Sequence, residues 1–312
     1  MKKLIKIGTR GSKLALWQAN HVAYLLKKAG QDTEIVIIDT TGDRILDVSI
    51  SKIGSKGVFT QELEDQLADG RIDIAVHSAK DMQSQLPDGF ELIAFTEREK
   101  VNDVMLSRDR SLSLKQDGRS LLLGTSSTRR IATLKHFYPH AKTVDIRGNL
   151  QTRIRKMEEG HCDAILLAYA GVHRMGYDDM IVEELSVEEF TPAVGQGAIA
   201  IEIASNLENQ VKEIVKNACD HPESSIILRA ERAYLRVLEG GCSIPVFALG
   251  TLEAEELSLS GGLVSLDGKE RISFVVKGDP ADPEAVGVKL AEKVLAARGK
   301  EILAEIKSTL NR

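Results

Sequence analysis

The chain has 312 residues, of which 43% are hydrophobic and 28% charged, as in ordinary folded, water-soluble proteins of two or three domains. Its net charge of −5 argues against a general nucleic-acid binder, which would present a basic surface. No stretch has the length of a signal peptide's apolar core or of a membrane span. We therefore expect a cytoplasmic protein with neither a membrane nor a nucleic acid as partner.

Short apolar runs alternate with segments of helical periodicity in the first part of the chain. Alternation of this kind predicts βαβ units with a mostly parallel sheet. Strands are predicted at residues 4–8, 34–39, 72–77, 121–124, 143–146 and 164–168, with helices from residue 14, at 59–68, from 127 and at 150–158.

Two parts of this region resemble each other. Residues 8–12 end one strand and open a helix, residues 124–129 do the same later, and residues 70–76 match residues 160–166. The two offsets differ, so the pattern predicts two domains of similar design, one with a longer insertion. Chance similarity between common strand–helix turns is the alternative.

After residues 191–197 the pattern changes. A strand is predicted at 199–203, followed by two helices, the second of which starts at Pro222. Strands near 246–252, 256–263 and 271–277 and a helix over 284–297 then predict a small α+β domain.

The connection over residues 40–58 contains three glycines together with Lys52 and Lys56. We predict a mobile loop or lid here. A surface insertion without function fits the composition equally well.

Cationic and hydroxyl groups follow four of the predicted strands. Ligands of open α/β sheets bind at the carboxyl ends of the strands, where helix starts bind anions and arginine forks match carboxylates. We therefore predict a cleft for a small molecule with several negative charges, with solvated surface arginines as the alternative. The segments are Thr9-Arg10-Gly11-Ser12, Ser78-Ala79-Lys80-Asp81, residues 125–130, and Arg147-Gly148-Asn149 with Arg153.

Asp81 is the one carboxylate in these four segments. Neighbouring Lys80 and Arg10 should keep it ionised, so that it could stabilise a developing cation or move a proton at a reacting nitrogen. A helix cap or a structural ion pair is the alternative.

The three cysteines, Cys162, Cys219 and Cys242, are an odd number without the spacing of metal ligands, and the seven histidines form no ligand set. We expect no metal and no disulfide framework, in agreement with a reducing cytoplasm. Cys242 follows paired glycines, which predicts an exposed thiol open to covalent chemistry. A free surface cysteine is the alternative.

These segments, in this order, make the chain resemble the porphobilinogen deaminase (hydroxymethylbilane synthase) family over essentially its whole length. One departure is Gln83, where the family often has proline, which puts the local loop shape in doubt. The matching segments are residues 9–15, 56–60, 76–81, 124–130, 147–153 and 238–242.

The resemblance implies two periplasmic-binding-protein-like α/β domains, with two strands crossing between them, and a small C-terminal α+β domain. The expected boundaries are 1–97 with 195–218 for the first, 98–194 for the second and 219–312 for the third. It also implies a monomeric transferase that joins four porphobilinogen molecules head to tail, releases ammonia and yields hydroxymethylbilane for tetrapyrrole (heme) synthesis. The implied cofactor is a dipyrromethane bound through a thioether to Cys242.

The resemblance further implies roles for single residues, with Asp81 as the catalytic group. Besides Cys242, the implied cofactor contacts are Ser78, Lys80, Asp81, Thr125, Ser127, Arg129, Arg130, Arg147 and Gly148. The implied substrate contacts are Arg10, Ser12, Gln18, Arg147, Arg153, Arg174 and Gln196, with Lys56 and Phe59 in the loop over the cleft.

Two other classes of protein fit part of the pattern. A solute-binding or ligand-sensing protein of the same two-lobed design needs the arginine cleft but no reactive Asp81 or Cys242. An acyl- or amine-transferring enzyme with a cysteine nucleophile would need Cys242 but a different substrate.

Overall fold

The computed structural model describes residues 4–41, 60–115, 120–241, 243–253 and 255–310. The strands are β1 (Ile5–Arg10), β2 (Thr33–Ile38), β3 (Ile74–Ser78), β4 (Phe90–Phe95), β5 (Asp103–Leu106), β6 (Leu122–Gly124), β7 (Lys142–Val144), β8 (Ala164–Ala168), β9 (Ile181–Glu184), β10 (Ile199–Ala204), β11 (Val246–Glu253), β12 (Glu256–Val264) and β13 (Arg271–Gly278). The α-helices are α1 (Lys13–Lys28), α2 (Gln61–Ala68), α3 (Thr128–Phe137), α4 (Leu150–Glu158), α5 (Tyr169–Arg174), α6 (Asn209–Cys219), α7 (Pro222–Val237), α8 (Pro283–Val294) and α9 (Lys300–Leu310).

The first sheet has the strand order β2-β1-β3-β10-β4. Strand β1 runs parallel to β2 and β3, whereas β10 is antiparallel to both of its neighbours. The central strands β3 and β10 are buried along almost their whole length because helices cover the sheet. The core under α1 and α6 includes Ile7, Ile74 and Ile201 from the sheet with Leu26 and Val215 from the helices.

The second sheet repeats this arrangement with the order β7-β6-β8-β5-β9. Here β6 is parallel to β7 and β8, and β5 is the antiparallel strand. The chain leaves the first sheet after β4, enters the second at β5, and returns after β9 through β10. The predicted pair of α/β domains of similar design is confirmed, whereas the residue boundaries between domains stay a prediction.

The two crossing segments, residues 96–102 and 185–198, run beside each other between the sheets. Gln196 Nε2 donates to the carbonyl oxygen of Val101 at 2.7 Å, and Glu99 N donates to Gly197 O at 3.2 Å. The guanidinium of Arg98 also pairs with the fully buried Glu231 of α7, at 2.6 Å between Nη1 and Oε1. These contacts attach the junction of the two lobes to the C-terminal part of the chain.

The third sheet is an antiparallel meander of β11, β12 and β13, packed against α7 and α8. Tyr234, Leu259 and Leu290 are fully buried between sheet and helices, which confirms the predicted small α+β domain. The predicted helix over 284–297 corresponds to α8, which is regular as far as Val294, and non-helical backbone angles at Ala297 and Arg298 form a kink before α9.

The sequence reading missed β4, β5, β9, α5 and α9. The predicted loop over residues 40–58 lies almost entirely outside the described residues. Within the described ranges, no helix combines the length and the apolar character that crossing a membrane requires.

Candidate active site

The carboxyl ends of the parallel strands in the first sheet carry one side of the cleft. β1 ends at Arg10, and Ser12 begins α1 by accepting a hydrogen bond from Ala15 N at 3.2 Å. β3 ends at Ser78, and a single 3-10 turn over Ala79–Asp81 follows it. Because β1 and β3 are parallel neighbours, Arg10 and Ser78 lie at the same edge of the sheet.

The second sheet supplies the opposite side through α3. β6 ends at Gly124, and Thr125 Oγ1 accepts from Ser127 N at 3.2 Å. Ser127 in turn caps α3, so Arg129 and Arg130 occupy its first turn. The polar residues 125–127 therefore order the start of the helix, as is usual for serine and threonine at such positions.

Two further arginines, Arg147 and Arg153, lie just before α4 and in its first turn. Asn149 Oδ1 accepts from Thr152 N at 2.9 Å, which begins the helix, and Arg153 Nε donates to Gly148 O at 2.8 Å. Gly148 has a φ of 112°, a conformation that favours glycine. Arg147 Nε donates to Asp145 Oδ2 at 2.8 Å.

Arg129 and Arg130 are both 5% exposed and share one buried acceptor, Asp103. Each places its Nη2 at 2.7 Å from a different oxygen of that carboxylate. Burial opposes ionisation of Asp103, but the two guanidinium groups outweigh it and hold its pKa well below the ordinary value. Burial also lowers the pKa of Arg129.

The Nε atoms of Arg129 and Arg130 are buried and have no hydrogen-bond acceptor among the described residues. Buried donors of this kind are costly unless a partner satisfies them. A carboxylate is the acceptor that suits a guanidinium N–H best. The arginine pair therefore fits a ligand that brings its own carboxylates, as a dipyrromethane with acetate and propionate side chains does.

Lys80 and Asp81 interact electrostatically with each other and with arginines of the second lobe. Burial lowers the pKa of Lys80 to about 8, against the attraction of Asp81, and Arg130, Arg129 and Asp103 also act on it. Burial likewise lowers the pKa of Arg153 to about 10, with repulsion from Arg130 adding to the effect and Asp81 opposing it. Asp81 itself is exposed, and its charge acts on both Lys80 and Arg153.

The loop after Asp81 is fixed by Gln83, the residue that departs from the family pattern. Gln83 Nε2 donates to Thr60 Oγ1 at 3.0 Å and to Glu64 Oε1 at 3.2 Å. The main-chain carbonyl oxygen of Gln83 accepts a hydrogen bond from Arg232 Nη2 of α7 at 2.8 Å. Glutamine thus holds this loop through side-chain bonds that a proline could not make.

Three other predicted contact residues donate side-chain hydrogen bonds to other groups of the protein. Gln18 Nε2 donates to Ser78 Oγ at 2.9 Å. Gln196 Nε2 donates to Asp103 Oδ1 at 3.0 Å as well as to Val101 O. Arg174 Nη2 donates to Gly197 O at 2.7 Å. Gln196 and Arg174 therefore sit at the junction of the lobes.

Predicted Cys242, Lys56 and Phe59 lie outside the described residues. The other two cysteines, Cys162 and Cys219, are buried, and burial raises their thiol pKa to about 11 and about 12 respectively. A raised pKa suppresses the reactive thiolate, so neither of these two residues competes as a nucleophile.

Sequence reasoning missed Asp103 and Trp17. Asp103 is the first residue of the four-residue strand β5, which carries no sequence motif. β5 joins the second sheet by pairing antiparallel with β8, which is distant in the chain. Trp17 lies on α1 and contacts Arg174 at the end of α5. From the sequence, Trp17 was interpreted as one of the apolar residues that mark this helix, and it is the single tryptophan of the chain.

Fold and site together define a two-lobed α/β protein in which charged groups of both lobes, Lys80 and Asp81 from one and Arg130 and Arg153 from the other, act on one another. Two family models match the chain: "Porphobilinogen deaminase, dipyromethane cofactor binding domain" over residues 5–212 and "Porphobilinogen deaminase, C-terminal domain" over residues 226–296. The chain belongs to the porphobilinogen deaminase family, whose members are transferases of tetrapyrrole synthesis, and residues 5–212 form its dipyrromethane-binding part.

Relatives match over nearly the whole length. A porphobilinogen deaminase of Cytophaga hutchinsonii is 57% identical over 312 residues, which is 100% of both chains. One of Desulfosudis oleivorans is 56% identical over 303 residues, covering 97% of this chain and 98% of the relative. Among solved structures, a methionine-binding protein aligns with a TM-score of 0.43 at 14% identity, over 69% of this chain and 89% of that one.

Proposed function

We propose that this protein joins four porphobilinogen molecules head to tail into hydroxymethylbilane, releasing ammonia at each addition, on a dipyrromethane primer tethered to Cys242. The observation that carries the proposal is the pair of buried, unsatisfied Nε groups of Arg129 and Arg130 beside Lys80 and Asp81, within the described residues. Each of these buried donors costs free energy while it is unpaired, and a carboxylate ligand would remove that cost.

The arginines bind the acidic side chains of cofactor and substrate. Each porphobilinogen carries an acetate and a propionate, so a growing chain accumulates carboxylates. Arg129 and Arg130 hold the cofactor carboxylates together with Lys80, Arg147 and the start of α3. The substrate carboxylates are bound by Arg10 and Arg153 from opposite lobes, with Arg174 at their junction. The hydroxyl and amide contacts proposed beside them are Ser12, Gln18, Ser78, Thr125, Ser127, Gly148 and Gln196.

Asp81 acts at the reacting centre. The dipyrromethane supplies the pyrrole carbon to which the first substrate is joined. Departure of ammonia leaves a positive charge on the substrate ring, and a carboxylate positioned beside it stabilises that charge as it develops. Asp81 also accepts hydrogen bonds from pyrrole N–H groups, which orients the ring. Its exposed position on a single 3-10 turn over Ala79–Asp81 gives it access to the cleft.

We propose that the protein acts as a cytoplasmic monomer and that its partner is its small-molecule substrate, porphobilinogen. Lys56 and Phe59 belong to the loop proposed to cover the cleft. The hinges between the lobes are proposed at residues 97–101 and 191–197.

Incubation of the purified protein with porphobilinogen tests the proposal. We expect a linear tetrapyrrole and ammonia as products. Intact-mass measurement should show a dipyrrole-sized addition that is lost in Cys242→Ser. An unmodified protein that binds porphobilinogen without releasing ammonia would indicate a solute-binding protein of the same architecture.

A further inference from the structure

Asp103 occupies a position that joins several parts of the site. It opens β5 directly after the first crossing segment and is 0% exposed. Its carboxylate accepts three hydrogen bonds, from Arg129 Nη2 at 2.7 Å, Arg130 Nη2 at 2.7 Å and Gln196 Nε2 at 3.0 Å. None of the roles described above for the reaction includes this residue.

The other terminal nitrogen of each arginine is also fixed. Arg129 Nη1 donates to Thr191 O at 3.0 Å, and Arg130 Nη1 donates to Leu166 O at 2.8 Å. Because a guanidinium is planar, two anchored nitrogens determine the direction of the third. Nε is the nitrogen left without an acceptor among the described residues in both side chains.

Asp103 also connects the arginines to both crossing segments. It directly follows the first segment, and Gln196 of the second donates to it and to Val101 O. Thr191, the carbonyl partner of Arg129, lies in the second segment as well. A change in the angle between the lobes would therefore reach both guanidinium groups through Asp103, and Arg129 also directly through Thr191 O.

We propose that Asp103 is the positioning residue of the cofactor pocket, holding Arg129 and Arg130 so that their Nε groups point at the carboxylates of the dipyrromethane and of the first added ring. This inference rests on the proposed function. Asp103 also offsets the repulsion between two adjacent buried cations, leaving one net positive charge for the ligand.

Asp103→Asn is the informative substitution because it keeps the shape and changes only the bonding. An asparagine has one acceptor oxygen and one NH₂ donor, so its NH₂ must face a guanidinium or Gln196, which are also donors. Loss of one charge-assisted bond frees one arginine to turn away. We expect a KM for porphobilinogen raised about tenfold or more, a smaller change in kcat, and a reduced fraction of protein carrying the cofactor.

Asp103→Glu serves as the conservative variant. It keeps the charge but displaces the carboxylate by one methylene, so KM and cofactor fraction should lie between those of the wild type and Asp103→Asn. This variant decides the question if Asp103→Asn fails to fold. A wild-type KM and cofactor fraction in Asp103→Glu would overturn the proposal in that case.

Glu231→Gln is the matched control. Glu231 is another fully buried carboxylate that pairs with an arginine, Arg98, and accepts from the second crossing segment through Gly195 N at 2.9 Å. It contacts neither Arg129 nor Arg130, so Glu231→Gln should lower Tm but keep the cofactor fraction and KM.

Intact mass, Tm, kcat and KM are measured for the wild type and all three variants. The proposal is overturned if Asp103→Asn keeps the wild-type cofactor fraction and KM, or if Glu231→Gln reproduces the same losses. A wild type that shows neither the mass addition nor a tetrapyrrole product would instead refute the proposed function, which separates the two failures.

Discussion

The guanidinium of Arg174 lies over the indole ring of Trp17, with 5.2 Å between Cζ and the ring centroid, although the two residues belong to different lobes. Trp17 is on α1 beside the first sheet and Arg174 is on α5 beside the second. The imidazole ring of His21 stacks on the indole ring of Trp17, with 5.4 Å between the ring centroids. Because Arg174 also bonds to Gly197 O in the second crossing segment, the contact ties the lobes together at their junction.

Arg174→Gln should release this contact. Since the chain has one tryptophan, its fluorescence reports the change directly. We expect a shift in Trp17 emission and a loss of about 0.5–1 kcal/mol in the free energy of unfolding. Lys28→Gln is the matched control, because Lys28 Nζ lies 4.8 Å from the ring centroid of Tyr24 within α1 alone. Equal emission in the wild type and Arg174→Gln would contradict the contact.

Lys80 should make stability depend on pH in the cofactor-free Cys242→Ser protein. Burial lowers its folded pKa to about 8, whereas an unfolded lysine titrates near 10.4, so the unfolded chain binds more protons between these values. The Lys80 contribution therefore rises with pH over this window, and its full penalty applies below it. Lys80→Met should be about 1–2 kcal/mol more stable near neutral pH, after allowance for partial exposure.

Urea unfolding at about pH 7 and about pH 10 measures this difference. The advantage of Lys80→Met should shrink at the higher pH. Lys13→Met, at an exposed position of α1, should change stability equally at both values. A Lys80→Met protein that is less stable than its parent near neutral pH would show that burial does not dominate at this site.

Gly148→Ala should damage the arginine side of the cleft. A Cβ at this residue, whose φ is 112°, would lie 2.7 Å from Thr152 Cγ2 and disturb the Asn149 cap of α4. We expect a loss of about 1–3 kcal/mol in stability and a higher KM for porphobilinogen, since Arg147 and Arg153 flank this turn. Gly160→Ala is the control, with a φ of 84° but no described atom within 4 Å of the added Cβ. Similar KM values in both variants would contradict the account.

Thiol labelling tests the proposed role of Cys242. Cys162 and Cys219 are buried, with pKa values raised to about 11 and about 12, so they should stay unreacted at about pH 8 in the native protein. An alkylating reagent should add once to cofactor-free protein, at Cys242, and three times after unfolding. Rapid native labelling of Cys162 or Cys219 would remove the argument that Cys242 is the sole available nucleophile.

The parallel part of both α/β domains could be predicted from the sequence because its strands alternate along the chain with helical segments, as β1 does with α1 and β6 with α3. β4, β5 and β9 were missed: they pair antiparallel with strands distant in the chain, although β4 follows the turn residues Pro87-Asp88-Gly89. β5 is four residues long and entirely buried, so it shows neither alternation nor helical spacing.

The same limit applied to the site. Arg129, Arg130 and Arg153 were predicted because each lies in the first turn of a helix after a strand. Asp103 precedes no such turn, and its contact with the arginines arises only when β5 pairs with β8 and the second crossing segment packs beside it. Long-range pairing of that kind leaves no pattern in a single sequence.

Asp81→Asn tests most directly the claim that a carboxylate beside the arginine cleft assists the loss of ammonia. The measurement is ammonia release in a single turnover, with equilibrium binding of porphobilinogen recorded on the same protein. Asp145→Asn, which alters another cleft carboxylate bonded to Arg147, should weaken binding but preserve the rate. We predict that Asp81→Asn binds porphobilinogen within a few-fold of wild type and releases ammonia about 10²–10³-fold more slowly. Release at the wild-type rate would contradict the account.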